Sequence, residues 1–333
     1  MVLTGNLLTR LIREKLKRND FMNSRRNIVI TIAAFLFICQ AVSAVDDPVT
    51  TLEKRIDSIF VIASSAELKY RDMVEPAKDS IAAIGAAAVP RLVELFKSHT
   101  AREKRSVENI LKKIGFAAMP YLRKSLLLDD YRQVSRINYT IGEMKDSSAV
   151  TDLIHIASHE HWQVRSSCAS ALGKIGDKAA DVTITIMLSG SVETVRKSAA
   201  VAAGRLLVET AIDQLVHMLG DDYYGPRMCA ADALVKIGHK SIKPIIDSLD
   251  SENSMVGDLG CSTLGNIGGN VAAIGVGSQM QSKDVARRVL AVKAVFQSNS
   301  SLACGLVELL KETETDPIVL FYIDKTLAKY ASR

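Results

Sequence analysis

The sequence predicts an all-α solenoid of about nine helix pairs with a period of 30–31 residues. Three observations point there: a composition suited to close-packed helices, two apolar columns recurring at that period, and Gly and Pro placed where helices stop and start. The 333 residues are 48% hydrophobic but only 5% aromatic, with seven Pro. Such a mix favours helices over sheets.

The clearest copy of the recurring motif runs Val164-Arg165-Ser166-Ser167-Cys168-Ala169-Ser170-Ala171-Leu172-Gly173-Lys174-Ile175-Gly176-Asp177, followed by an apolar stretch from Val182 to Leu188. Taking Ile175 as a marker, the equivalent residues are Ile84, Ile114, Met144, Ile175, Leu206, Ile237 and Ile267, spaced 30, 30, 31, 31, 31 and 30 apart. A second column three residues earlier reads Ile81, Leu111, Ile141, Leu172, Ala203, Leu234 and Leu264. Two apolar positions three apart share one helix face, so each unit carries a stripe that its neighbours must cover. A unit has room for two helices of about a dozen residues, marginal alone and stable when stacked.

Punctuation agrees with that division. Gly85, Gly115, Gly176, Gly238 and Gly268 follow the first helix, where a left-handed cap favours Gly. Pro90, Pro120 and Pro244 come five or six residues later, suited to the first turn of the second helix. Beyond about residue 285 the columns weaken to Gln297, Thr326 and Lys329, reading as a polar end unit that faces water.

These residues resemble the HEAT-like repeats of the phycobilisome-lyase type, whose consensus runs Val-Arg, small residues, then Ala-Leu-Gly-x-Ile-Gly-Asp. The resemblance covers roughly residues 70 to 300. It implies a right-handed superhelix with the second helices lining the concave face. It also implies an Arg ladder joining neighbouring units, here Arg165, Arg196, Arg227 and Arg287. Val134 and Gly257 depart from the ladder and would mark looser joints. Function follows only weakly, since such repeats serve scaffolds, adaptors and some enzymes.

Charge and the N-terminus bear on compartment and partner. Residues 1–44 hold seven Lys/Arg against two acids, which accounts for the whole net charge of +5, while the remaining 35 basic and 35 acidic residues cancel. A neutral body gains little from counterion release, so nucleic acid is set aside as a partner. Arg25 and Arg26 precede an apolar run from Ile28 to Cys39 and then Gln40-Ala41-Val42-Ser43-Ala44, the pattern of a signal peptide cut after Ala44. Met22 is an alternative start, and an uncleaved membrane anchor is the competing reading of the same run. The expected organisation is a signal peptide over 1–44, an N-terminal segment with a capping helix over 45–69, and the repeat solenoid over 70–333. The chain would then act in a periplasmic or secreted setting.

Residues able to carry chemistry or binding are few along the repeats. Tyr131, Trp162, Glu193 and Tyr224 stand 31 residues apart in the turn leading into the first helix, and stacking would bring them into one row. Arg132, His161 and Tyr223 flank it, giving an aromatic and partly cationic edge suited to a protein partner. Packing of each ring on the preceding helix is the alternative. His159 and Glu160 form a lone His-Glu pair in a turn. A hydroxylase of the HEAT-repeat type would need several such pairs, so no metal, cofactor or catalytic residue is expected. Bilin lyase activity, also implied by the resemblance, fits poorly with export. Cys168, Cys229, Cys261 and Cys304 match no zinc spacing and are expected to be buried thiols. The expected role is a non-catalytic scaffold or adaptor, with an enzyme or enzyme subunit as the alternative.

Overall fold

The computed structural model describes residues 48–331, which are helical, turn or loop with no strand. The proposed signal peptide and its cleavage point lie outside the described residues. Contacts divide the chain into Met1–Lys54 and Arg55–Arg333. The described part of the first unit is residues 48–54, the opening turns of helix α1 (Pro48–Ala63).

The second unit is a series of helix pairs. The first helices are α2 (Val74–Ala82), α4 (Ala101–Ile114), α6 (Tyr131–Met144), α8 (Trp162–Ile175), α10 (Glu193–Leu206), α12 (Tyr224–Ile237), α14 (Ser254–Ile267) and α16 (Val285–Ser298). Their partners are α3 (Val89–Leu95), α5 (Met119–Lys124), α7 (Val150–Ile156), α9 (Asp181–Met187), α11 (Ile212–His217), α13 (Ile242–Ser248), α15 (Gly269–Gly275) and α17 (Cys304–Thr313). A closing helix, α18 (Pro317–Ala331), packs on α16 and α17. Among the described residues this makes eight pairs, with α1 and α18 as half-units at the ends, an all-α solenoid.

The pairs are unequal. First helices from α4 to α16 have 14 residues each, whereas most second helices have six or seven and are entered through a 3-10 turn such as Gly85–Ala88 or Gly115–Ala118. The column Ile81, Leu111, Ile141, Leu172, Ala203, Leu234 and Leu264 is wholly buried. From Ile114 onward the marker column ends the first helices, Ile84 lies just past α2, and apart from Leu206 the column is only half-buried. Every joint after these helices uses a left-handed residue. Gly115, Gly176, Gly238 and Gly268 have φ between 71° and 86°, and Lys145, Leu207 and Asn299 adopt φ of 54°, 56° and 57°. Pro90 and Pro120 lie in the first turn of α3 and α5.

The tightest packing is backbone on backbone. A Cβ built on Gly142 would lie 2.8 Å from Ala171 Cα, on Gly173 2.7 Å from Ala202 Cα, on Gly204 2.9 Å from Ala233 Cα, and on Gly265 2.8 Å from Ala294 Cα. Gly at the twelfth helix position thus faces Ala at the tenth position of the next first helix. Two joints depart from this: Lys112 and Val235 replace the Gly, and Thr140 and Thr263 replace the Ala. There α4 and α6, and α12 and α14, make fewer close backbone approaches. Thr263 Oγ1 is buried with no hydrogen-bond partner.

The register at the C-terminal end differs by one residue from the expectation. Helix α16 starts 31 residues after α14, so Ser298 and the fully buried Val295 occupy the two columns, not Gln297 and its neighbours. The second apolar column therefore continues into this unit. Among the described residues, no helix is long and apolar enough to cross a membrane.

Candidate binding edge

The edge is built where the first helices begin. Tyr131, Trp162, Glu193 and Tyr224 are the first residues of α6, α8, α10 and α12. The close Gly–Ala contacts hold these four helices side by side, so their starting ends lie along one margin of the stack. Cross-unit bonds keep the register: Ser166 Oγ and Ser198 Oγ are 2.8 Å apart, and Asn138 Nδ2 donates to Ser167 Oγ at 3.0 Å.

The capping residues distinguish this margin. Thr100, Asp130, Asn253 and Asp284 cap their helices by accepting a backbone N–H. Helices α8, α10 and α12 begin after His161, Val192 and Tyr223, none of which provides a side-chain cap. A lost cap costs about 1 kcal/mol. Three consecutive units forgo it and place a ring or an apolar side chain there.

The arginines follow a common geometry. Arg165 Nη1 donates to the carbonyls of His159 and Glu160, both at 2.7 Å. Arg196 Nη1 reaches those of Gly190 and Ser191, and Arg227 Nη1 those of Asp221 and Asp222. Each therefore ties down the turn before its own helix. Arg196 also makes a two-pronged pair with Asp221 of the following turn, at 2.6 and 2.9 Å. Burial alone would raise the Asp221 carboxyl, but the guanidinium and the Tyr223 amide together hold it below the usual carboxylate range.

Arg287 is not a ladder residue. The one-residue register difference puts Arg288 there, with Nη1 on the carbonyls of Ser282 and Lys283 and a two-pronged pair to Glu314. Arg287 instead is buried and reaches back, donating to Leu249 O, Ser254 O, Gln279 Oε1 and Asp258 Oδ1. A Cβ on Gly257 would overlap its guanidinium. Arg287 thus fills the place left by the ladder arginine that Gly257 lacks.

The rings do not behave alike. Tyr131 is half-buried and stacks on His161, with centroids 4.2 Å apart. Arg132 lies exposed, its Nε donating to Tyr131 Oη at 3.1 Å. Trp162, Tyr223 and Tyr224 are open to solvent at 41%, 54% and 69%. Arg196 lies 5.9 Å from the Tyr223 centroid, and Arg227 lies 6.0 Å from that of Tyr224.

The His-Glu pair has a different use. His159 Nδ1 accepts the His161 amide at 3.0 Å, the turn-closing part that Asp221 plays for Tyr223. Glu160 points into solvent, with Oε1 3.6 Å from His161 Nε2. No group of three or more His, Cys, Asp or Glu residues suited to a metal occurs among the described residues. Two open clefts lie between second-helix ends. One of about 370 Å³ includes His155 and His159, and one of about 410 Å³ includes His217 and Asp247. Cys168 and Cys261 are buried and their thiols are pushed up to about 12 by burial. Cys229 and Cys304 are only half-buried, so two of the four thiols depart from the expected burial.

The helix stack and one sequence match define the class of protein: an all-α solenoid in which the family model for HEAT repeats matches residues 136–204. No curated protein matches the chain. Among solved structures, an engineered protein is 17% identical, with 88% of this chain and 97% of the other covered and a TM-score of 0.42. Human deoxyhypusine hydroxylase in complex with glycerol is 15% identical over 86% of this chain and 100% of its own, with a TM-score of 0.32. The complex of CpcE and CpcF of phycocyanin lyase from Nostoc sp. is 18% identical over 63% of this chain and 93% of that chain, with a TM-score of 0.38.

Proposed function

We propose that this chain is an exported, non-catalytic scaffold whose edge of first-helix starts binds a protein partner. The observation that carries the reading is the exposure of Trp162, Tyr223 and Tyr224 along three uncapped helix starts in a closely packed block. Large rings on a rigid support give contact area at low entropic cost. The competing role for the rings, packing on the preceding helix, suits Tyr131 with its stack on His161 better than the other three. An enzymatic role finds less support, since His159 Nδ1 is already engaged by a backbone amide.

The test uses Trp162→Ser, Tyr223→Ser and Tyr224→Ser together. Unfolding in urea should shift by less than about 1 kcal/mol, and affinity for a partner captured by the wild-type chain should fall at least roughly tenfold. Loss of stability by about 3 kcal/mol or more, with affinity intact, would assign the rings to packing.

A further inference from the structure

We infer that copies of this chain join head to tail, with α18 of one copy serving as the first helix and α1 of the next as the second helix of a shared pair. The inference goes beyond the binding edge and does not depend on it.

The two half-units are opposite halves of one pair. The end of α1 receives what second helices receive from the unit after next: Ser106 Oγ of α4 donates to Ala63 O at 3.1 Å, as Gln133 Nε2 of α6 donates to Val93 O in α3 at 2.9 Å and Arg287 Nη1 of α16 donates to Leu249 O after α13 at 3.1 Å. Asp57 of α1 pairs with Arg91 of α3, the tie that Arg123 of α5 and Asp152 of α7 also make between second helices. Helix α1 therefore stands in a second-helix place. Helix α18 stands in a first-helix place. Glu314, in the turn before it, pairs with Arg288 as Asp221 pairs with Arg196. Its tenth residue is the buried Thr326, matching Thr140 and Thr263. Among the described residues, no first helix precedes α1 and no second helix follows α18.

Both open faces keep the form of an inner joint. A solenoid that ends in water needs a polar outer face. Here Phe321 and Leu309 are each 62% exposed, and Leu327, eleventh in α18, is only half-buried where Leu172 and Val295 are fully buried. Ala328, twelfth in α18, holds the place of Gly173 and is exposed. Ser80, four residues before Ile84 as Ala171 is before Ile175, is exposed on α2. These two small residues suit the close approach that Gly142 makes to Ala171. On α1, Arg55, Ile59 and Ile62 share the side opposite Asp57, and neither isoleucine is fully covered. The charges agree. Glu308 is the fifth residue of α17, as Arg123 is of α5, so it is placed to reach the next second helix, where Arg55 has the opposite sign. Lys325 is exposed on α18, whereas Glu75 and Asp79 of α2 share the single ammonium of Lys113. Asp324 is already held by Lys311 at 2.8 Å. A head-to-tail contact of this kind does not close on itself and extends copy by copy.

The experiment follows the mass of the full chain by sedimentation velocity at rising concentration, beside two variants altered only at exposed residues. Phe321→Asp with Ala328→Arg blocks the α18 end, and Ser80→Arg with Arg55→Glu blocks the α1 end. Both should keep the unfolding midpoint of the unaltered chain. That chain should grow beyond a dimer, and each variant alone should associate at least roughly tenfold more weakly. A mixture of the two variants should form a one-to-one pair and nothing larger, because one open end of each kind remains. The single changes Glu308→Arg and Arg55→Glu should each weaken growth at least roughly threefold, and mixing those two chains should recover part of it. An unaltered chain that stays monomeric overturns the inference, as does growth that stops at a dimer, the mark of a two-fold contact. Association that persists in both end-blocked variants belongs to another surface or to residues 1–44 and also overturns it. So does a mixture of folded variants that fails to pair.

Discussion

The four first helices α6, α8, α10 and α12 and the two joints that bound them are built from one repeat, yet pack differently. Inside the block, Gly142, Gly173 and Gly204 meet Ala171, Ala202 and Ala233 with room for no added carbon. At the outer joints the same positions hold Lys112 with Thr140, and Val235 with Thr263, and the helices make fewer close backbone approaches. The change is made on both sides of each joint, as steric matching requires: a large residue facing a small one would leave a void or a clash. The two units entered across these joints also lack the ladder arginine, having Val134 and Gly257. The edge row occupies the block that the two joints enclose.

The comparison breaks most sharply at the Gly column. In an ordinary helix interior, Gly to Ala gains about 1 kcal/mol. Gly173→Ala should instead lose about 1–3 kcal/mol in urea unfolding, because the new Cβ meets Ala202 backbone. An unchanged or raised midpoint would show that the block yields easily and that the joints do not differ in kind.

Next in size are the ladder arginines. Arg196→Ala strands the nearly buried Asp221 carboxylate, whose side chain is 7% exposed, and should cost about 2 kcal/mol. Arg165→Ala, with no carboxylate partner, should cost less. Because the folded state holds Asp221 below its ordinary value, its contribution is present at neutral pH and lost as pH falls below about 4. Asp221→Asn should therefore flatten the fall in stability between about pH 4 and pH 2. An unaltered acid limb would remove that pair from the account.

The smallest effect concerns helix ends. Leu207 adopts a left-handed conformation that Gly takes at the equivalent Gly176 and Gly238. Leu207→Gly should stabilise by up to about 1 kcal/mol, and Gly176→Ala should destabilise by a similar amount. Equal midpoints for both variants would mean that the joints, not the residues, set the backbone cost.

Much of this architecture is legible in the sequence because the repeat reports itself many times. Seven Leu, Ile or Ala residues at one position give the buried column, and Gly115, Gly176, Gly238 and Gly268 give the helix ends. A single register step defeats that reading. One extra residue before α16 moves the ladder from Arg287 to Arg288, and no local feature of Arg287 betrays that it fills the space over Gly257. The edge row was readable as a spacing, but the hydrogen-bond partners of its arginines were not. Counting Arg132 and His161 beside the rings suggests a cationic margin. Arg132 does lie exposed, whereas Arg165, Arg196 and Arg227 turn onto the carbonyls of their own turns, a placement that no local feature of the sequence shows. The Gly–Ala pairing was visible as the Gly of the repeated motif, yet its meaning needs the partner residue about 30 positions away.

A column of contacts without side-chain bulk also has a mechanical meaning. Side chains between helices act as compliant spacers, since each can change rotamer under load, whereas backbone pressed on backbone has no such freedom. A bending force applied to the solenoid would therefore concentrate its deformation at the Lys112–Thr140 and Val235–Thr263 couplings. The span from α6 to α12 would turn as a single lever, carrying Trp162, Tyr223 and Tyr224 with their mutual distances unchanged.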